Sequence, residues 1–507
     1  MTPVFSLDQD ESFVYVTIKV PHIRVSSAEI HANHKDFSFY CKPYLLHLTL
    51  PFEVNGDEDE RQVAVYNPDL DNGTLIVNLT KSIQGQFFPD LDLTTCIMNK
   101  MSSSDKNKNT NSHNIAPFIE VISSKTNDND GNSNNNENND TNNNDNKSKN
   151  NDDNDKFNNA HVLHHHVRYY GFNNSYCNVL TNLREECMDM MEISDPDKFP
   201  MHERRQYRFL MENSLFDPAR YLGDLFEAEN DTIFVNAMDF KTFWENEEIV
   251  NGDSNDDNDN NDITYNDNNE NDIGIECATI FTKSEKQAMS TSLRNKEYLI
   301  GPGSSEEASL LMGLVDIVFA FCYESRITLS DLSVVSSFNI SRLSSTLSWF
   351  DYYDERGPHK DTLLSVARSC MRRSIIYPYL RMWEYGLRVL DDTNKVFCNG
   401  KRCILKCLLK VRSLFEHGDS HYLLNKLYIN DYCVWIQTVA DDSIVLFSKR
   451  LLTAVEQVKK DGKGAMGFHL PELEEWANDQ LLNGQEGGNI PDELLEYRQP
   501  QVEESEE

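Results

Sequence analysis

Residues 12 to 20 read SFVYVTIKV, and this alternation decides the first stretch of the fold. Val14, Val16, Ile18 and Val20 fall on one face and Phe13, Tyr15, Thr17 and Lys19 on the other, the period of a half-buried β-strand. Working outward, shorter β-type runs follow at 36–40, 44–50, 63–66 and 74–79, separated by turn formers such as Asn72-Gly73. Such spacing predicts a small antiparallel β-sandwich. Its core is expected to take Val14, Val16, Ile18, Phe37, Phe39, Leu46, Leu48, Leu50, Ile76 and Leu79.

Beyond residue 166 the alternation fades and apolar residues recur at three- and four-residue spacing, which predicts an all-helical segment. Ser304-Ser305-Glu306-Glu307 has the form of a capping box. It precedes Leu310, Leu311, Leu314, Val315, Ile317, Val318 and Phe321, a run apolar nearly all round and so the centre of a bundle. Asp316 inside that run needs a partner, a nearby Arg or a backbone amide, because an isolated carboxylate is too costly to bury. The run is too short and too polar to predict a membrane span.

The 507 residues carry 47 Lys and Arg against 83 Asp and Glu, a formal net charge of −36. This balance argues against a free-standing nucleic-acid binder, which needs cations to displace counterions from phosphate. Residues 127–159 hold 17 Asn among 33 positions, and 251–272 hold 9 among 22, with almost nothing to bury. Both are expected to be disordered spacers. Together with the acidic stretch 471–507 they supply 24 of the 36 excess negative charges. That last stretch interleaves its acids with Leu473, Trp476, Leu481, Leu482, Leu494 and Leu495, a pattern suited to short amphipathic helices that fold on a partner.

Catalytic patterns are missing from the chain. No GxxxxGK[ST] loop cradles a nucleotide, and no GxSxG elbow presents a serine. His161, His164, His165 and His166 adjoin an Asn-rich tract and lack companion ligands, so neither metal nor cofactor is expected. Cys403 and Cys407 lie four apart on an apolar face and read as small core residues, and the odd total of eleven cysteines reads as reduced thiols. The N-terminal MTPVFSLDQDESF places acids where a secretion signal has bases. For Arg368, Arg372, Arg373 and Arg381 the expectation is pairing with nearby helix acids rather than with RNA.

The string FSLDQDESFVYVTIKVPHIRV, followed by FSFYCKPYLLHLTLP, resembles the CS domain that opens the SHQ family of H/ACA ribonucleoprotein assembly factors. Phe5, Gln9, Asp10, Pro21, Lys42, Pro43 and Tyr44 match its pattern. Further blocks resemble the helical SHQ domain, in order: YYGFNNSY at 169–176, HERRQYRFLMENSLFDPARYLGDLFE at 202–227, KEYLI at 296–300, LVDIVFAFCYESRIT at 314–328, ISRLSSTLSWFDYY at 340–353, ARSCMRRSIIYPYLR at 367–381, ILKCLLKVRSLFE at 404–416 and YLLNKLYINDYCVWIQ at 422–437. The resemblance implies a CS-like β-sandwich at 1–96, an Asn/Asp-rich linker at 97–165, a helical SHQ domain at 166–465 interrupted at 251–272, and an acidic tail at 466–507.

It also implies a non-enzymatic assembly chaperone of nucleus and cytoplasm. Such a protein is monomeric, needs no cofactor and touches neither nucleic acid nor membrane directly. It binds the free pseudouridine synthase subunit of the dyskerin type, stands in for RNA on its basic surface, and is absent from the mature particle after release by AAA+ ATPase remodelling factors. A general co-chaperone of the ninety-kilodalton heat-shock chaperone is the alternative. Charge, residue type and chain position single out Asp431, Asp441, Asp442, Glu472, Glu474 and Glu475 as partner-facing acids. Tyr432 and Trp435 are the candidate aromatic anchors, and Lys42 and Tyr44 a candidate CS-domain surface.

Overall fold

The computed structural model describes residues 2–98, 169–246, 277–482 and 490–495, apart from short breaks at 22, 24–27, 56–62, 68–72, 184, 229–231, 292, 294–295, 357–359, 378–379 and 461–466. Both Asn-rich tracts and His161, His164, His165 and His166 lie outside the described residues.

The N-terminal region is built from β1 (Val4–Gln9), β2 (Phe13–Lys19), β3 (Glu29–Cys41), β4 (Tyr44–Val54), β5 (Val63–Asn67) and β6 (Thr74–Thr80). One antiparallel sheet has the order β1-β2-β6-β5, and β3 pairs with β4 in a second. Six strands are present among the described residues. Val14, Val16, Ile18, Phe37, Phe39, Leu46, Leu48, Leu50 and Leu79 are buried between the sheets as the alternation requires. On β6 the inward residues are Leu75, Val77 and Leu79, so Ile76 belongs to the other face, a shift of one residue that the two-residue period makes decisive.

The family-pattern residues Gln9 and Asp10 hold this sandwich closed. Buried Lys81 donates to the Gln9 side-chain oxygen (2.9 Å), to the Asp10 carbonyl (2.6 Å) and to the Gln86 carbonyl (2.8 Å). Gln9 returns a hydrogen bond to the carbonyl of Phe88 at 2.7 Å. The Asp10 carboxylate accepts from the amides of Ser12 and Phe13, closing the β1–β2 turn.

The rest of the described chain is helical. Its axis is Ser305–Ile327, buried along nearly its whole length. Ser304 caps it by accepting from the Glu307 amide at 3.1 Å, while the Glu307 carboxylate reaches back to the Gly303 amide at 2.6 Å. Asp316 at its middle is satisfied by the Thr346 amide (2.8 Å) and the Ser344 hydroxyl (2.5 Å), a backbone partner rather than a cation. Around it pack Val334–Leu343, Leu363–Ser374, Trp383–Cys398 and Gly400–His417. None of the eleven cysteines is in a disulfide, and Cys403 and Cys407 are core residues.

Sandwich and helical body are joined by α1 (Thr94–Met98), which contributes to two cores at once. Leu93, just before it, lies in the helical core, whereas Ile97 and Met98 lie in the β core. Arg402 ion-pairs with Asp90 and Asp92, and the Thr95 hydroxyl donates to the Met289 carbonyl at 3.2 Å.

Candidate interaction surfaces

The block at 422–437 forms one continuous helical stretch, α over Tyr422–Leu424, π over Asn425–Ile429 and α over Asn430–Ile436. Its inner face collects two other family blocks. Asp431 accepts from the Tyr176 hydroxyl (2.7 Å), the Tyr298 hydroxyl (2.6 Å) and the Lys296 ammonium (3.0 Å). Tyr432 and Trp435 are buried with Phe172 wedged against them at 4.9 and 5.8 Å between ring centres. The Tyr428 hydroxyl takes the amide of Gly171 at 3.0 Å. Gly171 sits at φ +80°, and a Cβ there would collide with the Tyr176 ring. Burial, then the Asp431 carboxylate, push the Tyr298 phenol well above its usual range, so it stays a donor.

This geometry corrects the sequence reading of three residues. Asp431, Tyr432 and Trp435 do not face a partner; they pin YYGFNNSY and KEYLI to the body. Glu474 is half-buried and already engaged within the chain, accepting from the Tyr221 hydroxyl at 2.5 Å and pairing with Lys460 at 2.5 Å. The helix Leu470–Leu482 that carries it is already folded, with Leu470, Leu473 and Ala477 buried, so this section of the acidic stretch does not wait for a partner to become ordered.

Asp441, Asp442, Glu472 and Glu475 are exposed. Asp441, whose side chain is 69 % exposed, reaches Lys401 at 3.3 Å, a surface pair of small energetic weight. Asp441 and Asp442 open the helix Asp441–Glu456, where acids favour the positive end of the helix dipole. Val445, Leu446 and Leu452 further along are exposed, giving that helix an acidic and apolar outer side. In the sandwich, Lys42 is exposed in the turn joining β3 to β4, and Tyr44 is half-buried against the core. The cross-strand pair Tyr40 and Leu45 beside them is exposed.

A further surface escaped the sequence reading. The helix Met201–Leu215 turns Arg204, Arg208 and Glu212 inward and several apolar residues outward. Arg208 and Glu212 are buried, and Glu212 is held by Arg208 (3.4 Å), Arg372 (2.6 Å) and Arg373 (2.8 Å). Arg205 and Arg208 bind Asp351, and Arg373 binds Glu192. Arg381 pairs with Asp224 at 3.2 Å, so Arg372, Arg373 and Arg381 are all engaged by helix acids as their positions suggested. On the opposite side Tyr207, Leu210, Met211 and Leu215 are exposed, Leu210 to 58 %. Their spacing of three and four marks one helical face, a signal readable only when the inward charges are recognised as paired.

A CS-type sandwich joined to a helical body, with buried charge pairs and exposed acidic and apolar helix faces, defines a class of two-domain architecture. The comparisons give the family. Residues 2–98 match the family described as SHQ1-like, CS domain, and residues 270–465 the family described as SHQ1 protein, Shq1 domain. The chain is 32 % identical to Protein SHQ1 homolog of Xenopus tropicalis over 486 residues, covering 94 % of this chain and 69 % of that protein. Protein SHQ1 homolog of Mus musculus is 32 % identical over 480 residues, 94 % of this chain and 74 % of that protein. Protein shq1 of Schizosaccharomyces pombe is 30 % identical over 450 residues, 87 % and 90 %. The chain belongs to the SHQ1 family, and that membership supports an assembly-chaperone role in general terms.

Proposed function

We propose that this protein holds the free pseudouridine synthase subunit of H/ACA ribonucleoproteins and covers its RNA-binding surface until guide RNA arrives. Family membership supports the reading, and the observation that carries it is the acidic balance, −36 overall, with Asp441, Asp442, Glu472 and Glu475 exposed on ordered helices. An unassembled RNA-binding surface is basic and attracts polyanions indiscriminately; an acidic partner occupies those cations meanwhile. Salt screens such contacts within about 8 Å, so the acids steer association while apolar faces such as Val445 and Leu446 hold it. The chain acts without chemistry of its own, as a monomer in nucleus and cytoplasm, and leaves by the action of an AAA+ remodelling factor.

The test is competition. Purified synthase subunit bound to labelled guide RNA is titrated with this protein; RNA displacement that weakens as salt rises is expected. A stable ternary complex with RNA still seated on its groove refutes the proposal. A pull-down dominated by the ninety-kilodalton heat-shock chaperone and many clients favours the co-chaperone alternative.

A further inference from the structure

Near the end of the central helix, Glu324 is 3 % exposed and lines a surface cavity of about 260 Å³. The cavity walls include Ile233, Ile327, Leu343, Tyr323 and Tyr377. Such a volume lies below the roughly 300–1,000 Å³ of pockets that take drug-sized ligands and suits a single side chain. Glu324 accepts from the Asn339 amide on both carboxylate oxygens, at 3.2 and 3.1 Å.

No cation pairs with it among the described residues. It shares that with Asp316, which a backbone amide and a hydroxyl satisfy, and differs from Glu212, Asp351, Asp392 and Asp431, each held by at least one Arg or Lys. Arg342 lines the same cavity, yet it is 59 % exposed and its guanidinium lies 4.0 Å from Glu192. Arg326, two residues along, points to Asp392 instead. Glu324 also sits one turn before the C-terminal end of its helix, where the backbone dipole is negative and a carboxylate is disfavoured. Burial accordingly lifts its carboxyl above the usual range. A fold that keeps a buried acid against both effects, in the lining of a surface cavity whose walls include Ile327, Leu343 and two tyrosines, has a socket for a cation on an apolar stem.

We infer that this cavity receives an arginine side chain of the bound protein, its guanidinium on Glu324 and its stem against Ile327 and Leu343. Arginine suits the site because its weakly hydrated, planar fork meets two carboxylate oxygens at once and tolerates burial beside tyrosine rings. The inference rests on the proposed function insofar as the arginine belongs to the basic surface of the synthase subunit.

The full-length chain carrying Glu324→Gln keeps the shape of the site and removes its charge. Truncating one member of a desolvated charge pair weakens binding by roughly 30-fold or more, and that loss is expected for the synthase subunit. The melting temperature of the free chain is expected to hold or rise, because an uncompensated charge has been removed. Affinity within twofold of the wild type overturns the inference, and so does a loss of affinity accompanied by a fall in melting temperature, which would make Glu324 structural. A second arm needs no partner: N-ethylguanidinium is expected to shift the NMR signal of the Asn339 side-chain amide in the wild type and not in the Glu324→Gln chain. Equal responses, or none, overturn the socket. Failure of the wild-type chain to bind the synthase refutes the proposed function, while the guanidinium titration still decides the cavity.

Discussion

Replacing Glu212 by Gln tests how the helix Met201–Leu215 is held. The substitution keeps the shape and removes the one negative charge that Arg208, Arg372 and Arg373 share. Breaking a buried pair costs about 3–5 kcal/mol. Arg208 keeps Asp351 at 3.2 Å and Arg373 keeps Glu192 at 3.0 Å, so the lower end, about 3 kcal/mol, is expected. That is a large fraction of the roughly 5–15 kcal/mol by which domains are stable. Urea unfolding at pH 7 should show a lower midpoint at unchanged slope, and amides of Met201–Leu215 should exchange faster. Burial alone would raise the Glu212 carboxyl, yet the three guanidinium groups outweigh it and hold it below its usual range. Its contribution is therefore complete above the ordinary carboxylate pKa and fades as pH falls through the lowered value. The difference between mutant and wild type should shrink in acid. A loss under about 1 kcal/mol at pH 7, or a difference that grows in acid, would refute this account of the buried charges.

Three further outcomes follow from particular contacts. Burial pushes the fully buried His421 imidazole down to about 4, so the unfolded chain binds its proton first and stability falls between pH 6.5 and 4. From pH 7 to 5 the wild type should lose about 2 kcal/mol more than His421→Gln, measured by urea titration at each pH. Leu473→Ala should cost about 2–4 kcal/mol in the same assay, since Leu473 is fully buried; a surface-like loss near zero would mean that Leu470–Leu482 is not docked. Changing Asp441 and Asp442 to Lys should slow association with the synthase about tenfold at low salt and much less at high salt, as read by stopped-flow mixing.

The sandwich was legible because β2 alternates without interruption and one face is sealed; β1 went unmarked because Val4–Gln9 is a short edge strand in which Phe5 alone is fully buried and two of the other residues are Asp8 and Gln9. The central helix was equally plain, since only burial on all sides permits the run around Leu314. The surfaces were not. Asp431, Tyr432 and Trp435 looked like interface anchors by residue type, and a π turn at Asn425–Ile429 shifts the phase of the helix just before them, which blurs which face is inward. Nothing local marks Arg208 and Glu212 as buried, because the long-range groups that pair with them, Asp351 with Arg208 and Arg372 and Arg373 with Glu212, lie far along the chain. Long-range charge pairing leaves no local period to read.

The α1 helix has a consequence for how this chain changes over generations. Because Leu93 is fixed in one core and Ile97 and Met98 in the other, and because Arg402 grips Asp90 and Asp92, the two halves are registered by these side chains. A copy cleaved after Met98 should migrate as a single particle. A lone change at Leu93 would then loosen one body from the other while the chain between them stays covalently continuous.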